Sequence, residues 1–135
     1  MTQARATAQK YQNVEVQTAD RGKVLLLVFE GGIKFLTLAE KELRAGDLDA
    51  FVYNLGRAQA IITELLHTLN HEAGGTIARD LERLYRFGLE HLAEANLKKD
   101  PEMIAAVRRI IETVASGFRE ILADGVPRLN ESNAA

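Results

Sequence analysis

Apolar residues recur along most of this 135-residue chain at spacings of three and four, the period of a helix face rather than of a strand. Four such stretches are separated by residues that start or stop helices. Asp20 is placed to cap a helix running to about Ala45, and Gly46 to end it, because glycine accepts the left-handed conformation that closes helices. Asp47 caps a second helix that reaches about Asn70. A loop holding Gly74 and Gly75 follows, and Thr76 is the expected cap of a third helix ending near Asn96. Asp100-Pro101 opens the fourth: Asp caps, Pro takes the first helical position, and Glu102 sits in the positively polarised first turn. Gly125 and Pro127 close it before a polar tail. The expected organisation is an N-terminal segment 1–19, a bundle 20–124 and a flexible tail 125–135. Short connections make neighbours antiparallel, so the expected fold is all-α, an antiparallel four-helix bundle.

The stripes name the expected core. Helix two offers Leu48, Val52, Leu55, Ile62, Leu66 and Leu69. Helix three offers Ile77, Leu81, Leu84, Gly88, Leu92 and Ala95, and helix four Ile104, Val107, Ile111, Val114, Phe118 and Ile121. Helix one differs. Leu25, Phe29, Gly32, Leu36, Ala39 and Leu43 form one apolar stripe, while Val24, Leu27, Gly31, Phe35 and Leu38 form a second, well round the helix. One stripe suffices for a bundle helix. The second either packs on another neighbour or, with Gly31 as a notch, lines a groove for a further segment. Tyr11, Val14 and Val16, the large apolar residues before helix one, are expected to fold back and cap that groove in the empty protein.

Composition narrows the function classes. The chain has no cysteine, so disulfides and thiol chemistry are excluded and a cytoplasmic location is expected. A net charge of -2 gives no basic face for nucleic acid. The longest apolar run, Val24 to Phe29, is far short of the roughly 20 residues that span a bilayer, so no membrane insertion is expected.

The sequence offers little that could carry chemistry. Glu64 and His67 match one Glu-x-x-His element of a metal-binding bundle, and His71 follows one turn later, but a di-metal site needs two such elements and further inward carboxylates. Solvated side chains are the expected reading, with a metal-binding bundle as the alternative. His67 and His91 are formal candidates for phosphotransfer but lack the small and basic neighbours that receive phosphate. Gly31-Gly32 and Gly74-Gly75 follow no strand and precede no Gly-Lys-Ser/Thr, so neither is a phosphate loop. No enzyme activity, cofactor or metal is expected.

Three blocks resemble the flagellin-specific export chaperones, the FliS family. The first is Tyr11-x-x-Val14-x-Val16-x-x-Ala19 with Lys23-Val24-Leu25 and Leu27-Val28-Phe29-Glu30-Gly31. The second is Gly46-Asp47 with Ala58-Gln59-Ala60-Ile61-Ile62. The third runs from Gly74-Gly75-Thr76-Ile77-Ala78 through Leu81, Leu84-Tyr85-Arg86-Phe87 and Leu92 to Ala95-Asn96 and Asp100. Arg21, Gly32, His91 and Phe118 depart from residues common in the family. The resemblance implies a cytoplasmic helical bundle that holds the disordered C-terminal segment of flagellin, prevents premature polymerisation and delivers the subunit, with the export gate as a second partner. A related chaperone with a different client is the alternative. The flagellin-binding residues then expected are Tyr11, Val14, Val16, Val24, Leu27, Val28, Gly31, Phe35 and Leu38.

Overall fold

The computed structural model describes residues 3–124, with side chains from Arg21 onward. Four helices fill this range: α1 (Gln3–Ala45), α2 (Leu48–His67), α3 (His71–Lys98) and α4 (Pro101–Asp124). They form the expected all-α four-helix bundle. α1 packs on α2 and α4, and α3 packs on α2 and α4, so the helices form a ring with α1 diagonal to α3.

Several boundaries obey the expected local chemistry. Gly46 has φ +77, and the Asp47 and Gly46 amides donate to the Glu42 and Leu43 carbonyls at 2.9 and 3.2 Å. This pairing satisfies carbonyls that a helix end otherwise leaves orphaned. Asp47 Oδ1 then accepts from the Ala50 amide, and Asp100 Oδ1 from the Glu102 amide at 2.9 Å.

Other boundaries correct the sequence reading. α1 begins at Gln3 rather than after Asp20. Residues 3–20 contain no Gly or Pro and are rich in Ala and Gln, so nothing local stops the helix from extending backwards. The capping role expected of Tyr11, Val14 and Val16 rests on side chains that lie outside the described residues, as does the tail from 125. α3 begins at His71, capped by Asn70, whose Oδ1 accepts from the Ala73 amide at 3.1 Å. The Gly74-Gly75 pair is therefore not a loop. Gly75 instead breaks the helical geometry at φ 51 and ψ -122, and Thr76 restarts the helix without capping it. α3 ends on Lys99 in the left-handed conformation, and nothing in the sequence marks a lysine for that role. Its Nζ donates to the carbonyl and side-chain oxygens of Asn96, both at 2.7 Å, which helps hold the strained turn.

The core follows α1 and α4 largely as expected. Phe29, Leu36, Ala39, Ile104, Val107 and Ile111 are buried. The stripe of α2 is met in part: Leu55 and Ile62 are buried as expected and Leu66 and Leu69 are partly buried, but Phe51, Ala58 and Leu65 are the other buried positions, while Leu48 and Val52 are exposed. The α3 stripe likewise uses Ala78 and Tyr85, leaving Ile77 71% exposed, and Ile121 of α4 is also exposed. One polar side chain is buried among these apolar ones. Asn54 Nδ2 donates to both carboxylate oxygens of Glu42, at 2.7 and 2.9 Å, and ties α2 to α1. The α1–α4 seam is held differently. Glu40 of α1 accepts from Arg108 of α4 at 3.2 Å, and Arg44 donates to Glu102 at 2.6 Å.

Candidate functional site

The second stripe of α1 turns towards α2. At its C-terminal half the turn is closed by packing. A Cβ added at Gly31 would meet Ile61 Cδ1 at 3.6 Å, and Phe35 and Leu38 are half-buried. At Gly32 the added Cβ would lie only 3.3 Å from Ile61 Cγ2, so it is the missing side chain at Gly32 that lets α2 approach through Ile61. This half carries the reading in which helix one packs on two neighbours.

At its N-terminal half the stripe is open. Arg21, Val24, Leu25 and Val28 of α1 face Glu64, Leu65 and Thr68 at the end of α2 across a groove of about 620 Å³. Val24 is 58% exposed and Leu27, on the outer flank, 65% exposed. Two large aliphatic side chains in water beside a concave apolar channel form a patch that a partner can bury. The groove adjoins a cavity of about 350 Å³ under the first turn of α3. Leu25, Leu65 and Thr68 line both the groove and this recess.

Of the nine residues expected at the site, the structure brings Val24 and Val28 into the groove, with Leu27 beside it. Gly31, Phe35 and Leu38 lie further along the α1–α2 seam and are partly covered. The α2 wall was missed. Its signal was present, because Phe51, Leu55, Ala58, Ile62 and Leu65 recur at alternating steps of four and three. That register places Leu65 inward and Glu64 at the groove rim.

The candidate metal residues do not converge. His71 Nε2 lies 3.2 Å from Glu82 Oε2 on its own helix, Glu64 lines the groove, and His67 ends α2. Among the described residues no three His, Cys, Asp or Glu side chains form a group suited to a metal ion. His91 stacks on Phe87 with ring centroids 5.0 Å apart. Burial pushes the Tyr85 hydroxyl up to about pKa 12, which keeps it neutral in the core beside the recess. Among the described residues no helix is long and apolar enough to cross a membrane.

Comparison with known proteins agrees with this architecture. The family described as "Flagellar protein FliS" matches residues 3–125. The chain belongs to the FliS family. It is 31% identical to the flagellar secretion chaperone FliS of Vibrio cholerae over 87% of this chain and 89% of that protein. It is 30% identical to the FliS of Bacillus subtilis over 83% of each chain, and 30% identical to that of Salmonella typhimurium over 87% of each. The FliS match includes the helical stretch before Arg21, so that part of α1 belongs to the family sequence and not to an unrelated extension.

Proposed function

We propose that this FliS-family chain is a cytoplasmic chaperone that binds the C-terminal segment of flagellin, blocks its premature polymerisation and hands it to the export gate. The observation that carries the reading is the open apolar groove between α1 and α2, flanked by exposed Val24 and Leu27, in a chain of this family. An amphipathic client segment that is disordered when free pays ordering entropy as it folds onto such a groove. Each large aliphatic side chain that it buries returns about 1.5–3 kcal/mol. A few anchors therefore suffice for tight yet reversible binding, and no nucleotide is needed.

In this reading Tyr11, Val14 and Val16 also belong to the client site, and residues 1–19 guard the groove while it is empty. A helix that begins at Gln3 has to unwind near Asp20 for the segment to turn back, so the guarded state costs helix and yields readily to a client.

Calorimetric titration against flagellin, intact and lacking its C-terminal segment, tests the proposal. The expected result is one-to-one binding with a negative heat-capacity change, because apolar surface is buried as the client folds. Equal affinity for intact and truncated flagellin would overturn it.

A further inference from the structure

The proposed client face carries cations as well as apolar residues. Lys34 Nζ lies 5.7 Å and the Arg57 guanidinium 5.4 Å from the centroid of the Phe35 ring, so charges from two helices flank one aromatic. Neither forms an ion pair among the described residues. The cause is local. Glu30, one turn before Lys34, is drawn across to Arg119 of α4 at 3.5 Å. Arg57 has Tyr53, Asn54, Ala60 and Ile61 at the positions three and four residues away, none of them acidic. Arg21 at the groove rim is likewise without a carboxylate among the described residues. On α3 and α4, Arg83, Arg86, Lys98 and Arg108 each meet an acid, whereas Arg79 and Arg109 form no ion pair among the described residues. What marks this face is that two such cations, from two helices, converge on one ring.

We infer that the α1–α2 face takes an amphipathic helix whose apolar stripe is flanked by carboxylates, with one carboxylate docking between Lys34 and Arg57. The inference rests on the client reading above and adds the charge that the client must carry. Residues three and four apart share a helix face, so an acid one or two turns from an anchor seated at Val24 and Val28 comes within reach of both cations. Docking also removes water from around Phe35, which strengthens the attraction between the cations and an incoming anion. An apolar stripe alone binds with little response to salt. Two cations make the encounter faster and salt-sensitive, and they disfavour segments with basic flanks. An anionic membrane offers similar chemistry, but a concave groove between two helices accepts the ridge of a third helix better than a plane.

The test titrates purified flagellin into the full chain at low, physiological and high salt. It compares the unmodified protein with Lys34→Gln/Arg57→Gln and Lys34→Glu/Arg57→Glu, and with Lys98→Gln on α3 as control. Equal melting temperatures confirm that these surface changes leave the fold intact. The charge reversal is expected to weaken binding by about tenfold at low salt, as two exposed attractions become repulsions, with most of the difference gone at high salt. The neutral pair falls between, and the control matches the unmodified chain. Flagellin whose C-terminal Asp and Glu are changed to Asn and Gln is expected to bind all forms alike. Equal affinity and equal salt dependence of both double variants overturns the inference while leaving the client reading intact. Failure of the unmodified chain to bind flagellin overturns the client reading itself. Sedimentation with phosphatidylserine vesicles that the charge reversal abolishes, without change in flagellin affinity, assigns the cations to a membrane and also overturns the inference.

Discussion

Replacing Leu27 by Ala separates the binding face from the fold. Leu27 is 65% exposed, so the free protein loses little packing, and its stability is expected to stay within about 0.5 kcal/mol of the parent. The client, however, would cover that exposed surface. Leu→Ala removes three carbon groups, worth about 0.8 kcal/mol each on full burial, or about 2.4 kcal/mol in all. Scaling by the 65% that remains to be buried leaves about 1.5 kcal/mol, or roughly tenfold in Kd. Val24→Ala, scaled in the same way from 58% exposure, is expected to weaken binding about fivefold. Leu27→Met keeps the apolar surface and is expected to bind like the parent. Calorimetric titration with flagellin gives the affinities, and urea unfolding gives the stabilities. Unchanged affinity for both alanine variants, with stability intact, would refute the placement of the client on this face. A large loss of stability for Leu27→Ala would refute the premise that its side chain stands in water.

Asn54→Ala is expected to cost about 1.5 kcal/mol in urea unfolding, because it strips the partners from the Glu42 carboxylate, and the loss should shrink when Glu42→Gln is already present. Gly75→Ala is expected to lower stability by about 1–3 kcal/mol, since φ 51 with ψ -122 suits only glycine, whereas Gly31→Ala, with Ile61 at an ordinary 3.6 Å, is expected to raise the melting temperature by a few degrees. Tyr85 has its pKa raised to about 12 by burial, so it binds its proton more tightly in the folded state than in the unfolded one. Its contribution is therefore complete below about pH 10, the ordinary tyrosine value, and is lost as pH rises towards 12. Chemical unfolding across that range is expected to show the decline, and Tyr85→Phe to reduce it.

The sequence by itself determined the number and type of elements. Gly46 with Asp47, and Asp100 with Pro101, are local signals whose geometry depends on neighbours within one turn, and the structure uses both. The double apolar stripe of α1 was equally legible, because periodicity is a property of one helix. Tertiary structure decided which part of the second stripe is covered. Gly31 and Phe35 are closed over by Ile61 and Arg57, while Val24 and Leu27 are left open where α2 ends. It also set the register of α2, bringing Leu65 inward and Glu64 to the groove. The charge pattern shows the same division. That Arg57 lacks an acid on its own helix can be read along the chain, but that Glu30 abandons Lys34 for Arg119 depends on how α4 docks against α1. A helix specifies its faces through side chains three and four apart. Which neighbour each face meets is fixed only when all four helices compete for the same buried volume.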